Sequence, residues 1–107
     1  MTAENKQKVL LAEDDRTTRD WMAEALRAGG YEVLEAADGF EAIDRLQTND
    51  PSVVLLDVNM PGMDGLAFLD RLRRMPRCKD LPVIMVTASE KNEQVLRAAN
   101  LGIDGYL

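Results

Sequence analysis

Two sets of carboxylates in this sequence stand where a chain can do chemistry. Asp57 ends the apolar run Val53-Val54-Leu55-Leu56 and is followed by Asn59, Pro61, Gly62 and Asp64-Gly65, residue types that turn a chain and start a helix. Glu13-Asp14-Asp15 directly follows a second run, Lys8-Val9-Leu10-Leu11-Ala12. Both runs have the composition of strands buried on both faces. If the two strands are neighbours, Glu13, Asp14 and Asp57 converge at the sheet edge where open α/β folds place their ligands. Two carboxylates about 4 Å apart repel by roughly 4 kcal/mol at an effective dielectric of about 20. Three therefore stay ionised together only around a cation; otherwise one takes a proton. A hard divalent ion with oxygen ligands answers this, Mg2+ being the economical choice. The triplet taken alone also reads as a solvated helix N-terminus, where acids are favoured.

An aspartate held beside Mg2+ can act as a nucleophile toward phosphorus and form an aspartyl-phosphate, with the ion neutralising and aligning the transferred group. The phosphoryl oxygens need further donors. Thr87, after Val83-Ile84-Met85-Val86, offers a hydroxyl, and the backbone N–H groups of Asn59 and Ala88 offer two more. Taken alone, Thr87 reads as a β-branched residue at a strand end. Its place just before the small Ala88 turns the reading toward a phosphoryl donor. The chain has no histidine, which removes Ser-His-Asp and Cys-His catalysis and argues against zinc.

The elements that must position these groups alternate. A first strand over Lys8 to Ala12 leads to a helix from Arg16 to Gly29 whose apolar stripe is Thr18, Trp21, Met22, Ala25 and Leu26, with Trp21 read as core. Gly29-Gly30 ends it. A second strand spans Tyr31 to Ala36, and Asp38-Gly39 opens a helix with Phe40, Ile43 and Leu46 on one side, broken by Asn49-Asp50-Pro51. After the third strand, Asp64 reads as the N-cap of a helix burying Leu66, Leu69 and Leu72. Leu81 to Ala88 is a fourth strand, with Pro82 tolerable at its start. Ser89 opens a helix through Asn100, with Val95, Leu96 and Ala99 inward. The turn from Leu101 to Gly105 leads into Tyr106-Leu107, the beginning of a fifth strand. Four alternations with short connections predict an α/β, doubly wound parallel sheet with helices on both faces.

At 107 residues the chain holds one domain, and 46% hydrophobic with 30% charged residues is a globular balance. A net charge of -6 argues against nucleic-acid binding through this domain. No apolar run approaches the roughly 18 residues of a membrane helix, and Met1 to Lys8 is not a signal peptide. The single cysteine, Cys78, reads as an exposed thiol in a polar loop, and a cytoplasmic setting is expected. Arg71, Arg73, Arg74, Arg77 and Lys79 read as a solvated basic face at the negative end of the third helix.

Together, the acidic triplet, the stretch Asp57-Val58-Asn59-Met60-Pro61-Gly62-Met63-Asp64-Gly65, the strand Leu81-Pro82-Val83-Ile84-Met85-Val86-Thr87-Ala88 and Gly102-Ile103-Asp104-Gly105-Tyr106 resemble the receiver domain of two-component response regulators. The likeness runs from Lys8 to Leu107. It implies a flavodoxin-like strand order 2-1-3-4-5 and a phosphoacceptor role for Asp57. It further implies Glu13 and Asp14 as the acidic pair, with Asp14, Asp57 and the backbone carbonyl of Asn59 ligating Mg2+. Thr87 is implied as the hydroxyl that moves onto the phosphoryl group, and Tyr106 as the aromatic that turns inward with it, although Tyr106 also reads as a core aromatic with a surface hydroxyl. The implied partners are a histidine kinase or histidine phosphotransfer protein and a downstream output domain or protein, with no membrane contact.

The family pattern expects a lysine two residues beyond Leu107, then a proline and a final helix. The expectation is therefore a receiver domain over residues 1–107, incomplete at its C-terminus and lacking the final helix, which dimerises, swaps segments or is poorly stable. Other functions compete. A haloacid dehalogenase-type hydrolase needs a second acid where Asn59 stands, and a flavodoxin-type nucleotide site is opposed by the charge of the acidic triplet. A receiver-like interaction module that never takes phosphate is the main alternative.

Overall fold

The computed structural model describes residues 7–57, 63, 65–85 and the backbone of 105–106. Strand β1, Lys8–Ala12, lies inside the sheet. It pairs in parallel with β2 (Glu32–Ala36) on one side and β3 (Val53–Leu56) on the other. Strand β4 (Val83–Met85) pairs with β3, and β5 (Gly105–Tyr106) with β4, so the order is β2-β1-β3-β4-β5. This is the doubly wound, flavodoxin-like order expected from the sequence. The second strand starts one residue later than expected because the Tyr31 N–H is bonded to Leu26 O, at the end of the preceding helix. Strand β5 starts one residue earlier, at Gly105.

Among the described residues, three helices flank the sheet. Helix α1, Arg16–Ala28, begins at Asp15, whose carboxylate accepts from the Thr18 N–H at 2.8 Å and the Thr18 hydroxyl at 2.6 Å. It ends where Gly30 takes a positive φ of 95°, the left-handed conformation in which a side chain would be strained. Helix α2, Gly39–Thr48, is capped by Asp38, which accepts from the Glu41 N–H at 2.8 Å. Helix α3, Gly65–Arg73, buries Leu66, Leu69 and Leu72 as its spacing requires, and Phe68 with them. The expected cap Asp64, the strand residues 86–88 and the helix from Ser89 to Asn100 lie outside the described residues.

The core lies on both faces of the sheet. On one, α2 and α3 pack through Ala42, Leu46, Phe68 and Leu69 onto Leu10, Val54 and Leu56. On the other, α1 brings Ala23, with Met22 and Leu26 beside it, onto Leu11 and Val33. Burial of this kind stabilises by roughly 25 cal/mol per Å² of apolar surface.

Four sequence expectations are corrected. Trp21 is 70% exposed and is not core. Contact with the sheet runs through Ala23, and two residues turn a helix by about 200°, which points Trp21 to solvent. Phe40, 61% exposed, faces away for the same reason, since α2 buries Gly39, Ala42 and Leu46. Cys78 is only 5% exposed, because the 3₁₀ turn Pro76–Cys78 carries it inward. The basic cluster is likewise not simply a solvated face. Arg73 Nη1 donates to the carbonyls of Cys78, Lys79 and Leu81 at 3.0, 3.3 and 2.7 Å. Arg77 donates to Leu46 O at 2.6 Å and to Asp50 at 2.7 Å. These two arginines tie the turn between α3 and β4 to the rest of the fold.

Candidate functional site

The ladders on either side of β1 run one residue past the strands and carry the acids to one point. Ala12 is paired with both Ala36 and Leu56. Beyond it, the Glu13 N–H donates to Ala36 O at 3.0 Å, and the Asp57 N–H donates to Ala12 O at 2.9 Å. Glu13 and Asp57 are thus held side by side at the carboxyl ends of the two central strands. The chain leaves β1 toward β2 on one side and enters β3 on the other, which makes this the switch point of the sheet.

Carboxylate oxygens of Glu13, Asp14 and Asp57 all lie within 4.8 Å of one another. Glu13 is 8% exposed, Asp57 is half-buried and Asp14 is exposed. Asp15, the third acid of the triplet, does not join them, because its side chain is committed to Thr18 as the α1 cap. Those bonds hold the Asp15 carboxyl below its ordinary value. Glu13 shifts the opposite way. Burial first, and then a hydrogen bond to the Asp57 carboxyl, raise it from 4.5 to about 7. The backbone N–H of Asp15, donating to Glu13 Oε2 at 3.2 Å, opposes that rise.

The donor set fits a hard divalent cation. It offers carboxylate oxygens gathered closely enough for one ion to touch all three, and the charge crowding there is relieved either by a cation or by a proton.

Of the other sequence-predicted residues, Asn59, Thr87 and Ala88 lie outside the described residues. For Tyr106 the structure describes the backbone, in register with Met85 on β4. Two residues with a bearing on the site were not read from the sequence. Arg19 Nη1 donates to Glu13 O at 2.9 Å and to Asp14 O at 3.4 Å. Gly39 sits so close to Met63, six residues past Asp57, that an added Cβ would be 2.8 Å from the Met63 carbonyl oxygen. Neither had a signal, since one acts on backbone carbonyls and the other through an absent side chain.

Comparison with known proteins agrees with this geometry. Residues 9–107 match the family model of the response regulator receiver domain. Chemotaxis protein CheY-3 of Vibrio cholerae is 40% identical over 101 residues, covering 94% of this chain and 78% of that protein. The structure of chemotaxis protein CheY4 of Vibrio cholerae superposes with a TM-score of 0.91 at 34% identity, covering 95% of this chain and 85% of that one. The Mn2+-bound form of response regulator Rcp1 superposes at 0.84 with 28% identity, over 94% of this chain and 79% of that one.

Proposed function

The chain belongs to the response regulator receiver family, and from that premise we propose that Asp57 is its phosphoacceptor and that Glu13, Asp14 and Asp57 hold a divalent cation. Receiver domains of this family are phosphoacceptors in two-component signalling. The observation that carries the assignment to particular residues is the meeting of three carboxylates at the carboxyl ends of β1 and β3.

A carboxylate oxygen of Asp57 attacks the phosphorus of a partner's phosphohistidine. The O–P bond forms as the N–P bond breaks, and the imidazole leaves, taking a proton from solvent. Held among these oxygens, Mg2+ would supply neutralising charge for the transferred phosphoryl group. To ligate such a cation Glu13 would have to be ionised, as a metal-ligating carboxylate must be. The backbone carbonyl of Asn59 would be a further protein ligand, and the Thr87 hydroxyl and Ala88 N–H would donate to the phosphoryl oxygens. Thr87 and Tyr106 then alter the surface offered to an output domain or protein. The Mn2+-bound state of Rcp1 supports the choice of a divalent ion. Turnover of external phosphate esters is not expected, since Asn59, two residues after Asp57, cannot deliver a proton.

The test is Mg2+ with beryllofluoride, followed by backbone amide shifts. The wild type responds around Glu13 and Asp57, and Asp57→Asn does not. A wild type that stays silent overturns the proposal in favour of an interaction module that takes no phosphate.

A further inference from the structure

Arg19 belongs to α1 and lies on no strand end, yet it reaches the loop that carries two of the three acids. Its Nη1 donates to the carbonyl of Glu13 at 2.9 Å and to that of Asp14 at 3.4 Å. Its Nε lies 3.6 Å from Glu35 Oε1, and the two side chains are only 16% and 30% exposed. The other Glu35 oxygen accepts from Arg27 Nη2 at 3.0 Å. The backbone carbonyl of Glu35 accepts from Arg45 Nε at 3.0 Å, so this end of β2 is held by α1 and α2 together.

These bonds bear on the Glu13 backbone from both sides. Its N–H is fixed to Ala36 O and its C=O to Arg19. The peptides flanking a residue are planar, so pinning both leaves its two soft dihedrals little freedom. The direction in which the side chain leaves the backbone is then set. The next peptide, fixed through Asp14 O, does the same for Asp14. A guanidinium has donors in a rigid planar fork and can serve the two carbonyls and Glu35 at once, whereas an ammonium is a single point.

We infer that Arg19 is a positioning residue for the cation site, oriented by Glu35, and that it holds the β1–α1 loop in the conformation that turns Glu13 and Asp14 toward Asp57. This rests on the reading of those three acids as a divalent-cation site. The guanidinium touches neither the phosphoryl group nor the ion; it acts through the two carbonyls.

The experiment is a titration of the full chain with Mg2+ alone, followed by backbone amide shifts, at a temperature where every variant is folded. Arg19→Met weakens Mg2+ binding by about tenfold or more. Glu35→Gln, which leaves the acids and Arg19 in place, weakens it in the same direction by a smaller factor, and Arg19→Lys falls between wild type and Arg19→Met. Arg73→Met, which breaks a clamp on the α3–β4 turn, lowers thermal stability without moving Mg2+ affinity. If Arg19→Met fails to fold, Glu35→Gln decides. Affinities of Arg19→Met and Glu35→Gln within about twofold of wild type overturn the inference, as does an equal loss in Arg73→Met. A wild type whose shifts ignore Mg2+ overturns the cation site itself, and the inference with it.

Discussion

Glu13 and Asp57 present carboxylate oxygens within 4.8 Å of each other at the ends of β1 and β3, and burial first, then the Asp57 carboxyl, raises Glu13 to about 7. β1 carries Glu13 inward, while Asp14 stays exposed. On the proposed reading, a cation entering the site should displace the proton that Glu13 holds.

This fixes the sign of a pH dependence. Glu13 binds its proton more tightly folded than unfolded, so its contribution to stability is fully present below about 4.5 and is lost as pH rises through about 7. In the metal-free protein, the thermal midpoint should fall across that window. Saturating Mg2+ should restore it at the alkaline end, because a ligand that binds only the folded state stabilises it. Glu13→Gln should flatten the metal-free profile. Thermal melts with and without chelator measure this, and an unchanged slope in Glu13→Gln would contradict the assignment.

Gly39 should tolerate no side chain. A Cβ there would lie 2.8 Å from Met63 O and 2.9 Å from Met63 Cβ, and a backbone carbonyl cannot swing aside like a flexible side-chain end. Gly39→Ala should cost roughly 1–3 kcal/mol, as overpacking does. It should also shift the amide resonance of Met63. Urea unfolding gives the first result and NMR the second; a fully stable Gly39→Ala would show that Gly39 and Met63 are not in contact as described.

Trp21 and Cys78 exchange the environments that their sequence contexts imply. Trp21 should emit like a solvated indole and be quenched by iodide, and Trp21→Ala should change stability by no more than about 0.5 kcal/mol. A blue-shifted, unquenched emission would place it in the core instead.

Burial pushes the Cys78 thiol up, which leaves less of the reactive thiolate. Cys78 should therefore react with a thiol reagent only as fast as the turn opens, with full reactivity in denaturant. Immediate labelling of the native protein would contradict its burial.

The strands were legible because a buried parallel strand has an unbroken apolar run, and both Val53–Leu56 and Lys8–Ala12 have one. The carboxylates at their ends were legible for the same reason. Rotation of the helices about their axes was not. The stripe read through Trp21 and Ala25 gave weight to residue size and type, whereas α1 meets the sheet through the small Ala23, which lets the backbone approach Leu11 and Val33. Cys78 was misread because proline and basic residues around it mark a loop, and nothing local announces that Arg73 folds that loop inward. Among Glu13, Asp14 and Asp15, identical charge hid three fates, namely a buried carboxyl beside Asp57, an exposed carboxyl in the same cluster and a helix cap. Register and capping decide those, not composition.

The most direct test of the account is transfer of a phosphoryl group to Asp57. Incubated with acetyl phosphate and Mg2+, the protein should gain the mass of one phosphoryl group, mapped to Asp57. The gain should vanish with a chelator present and in Asp57→Asn. An undiminished gain in Asp57→Asn, or none in the wild type with Mg2+ present, would contradict the account.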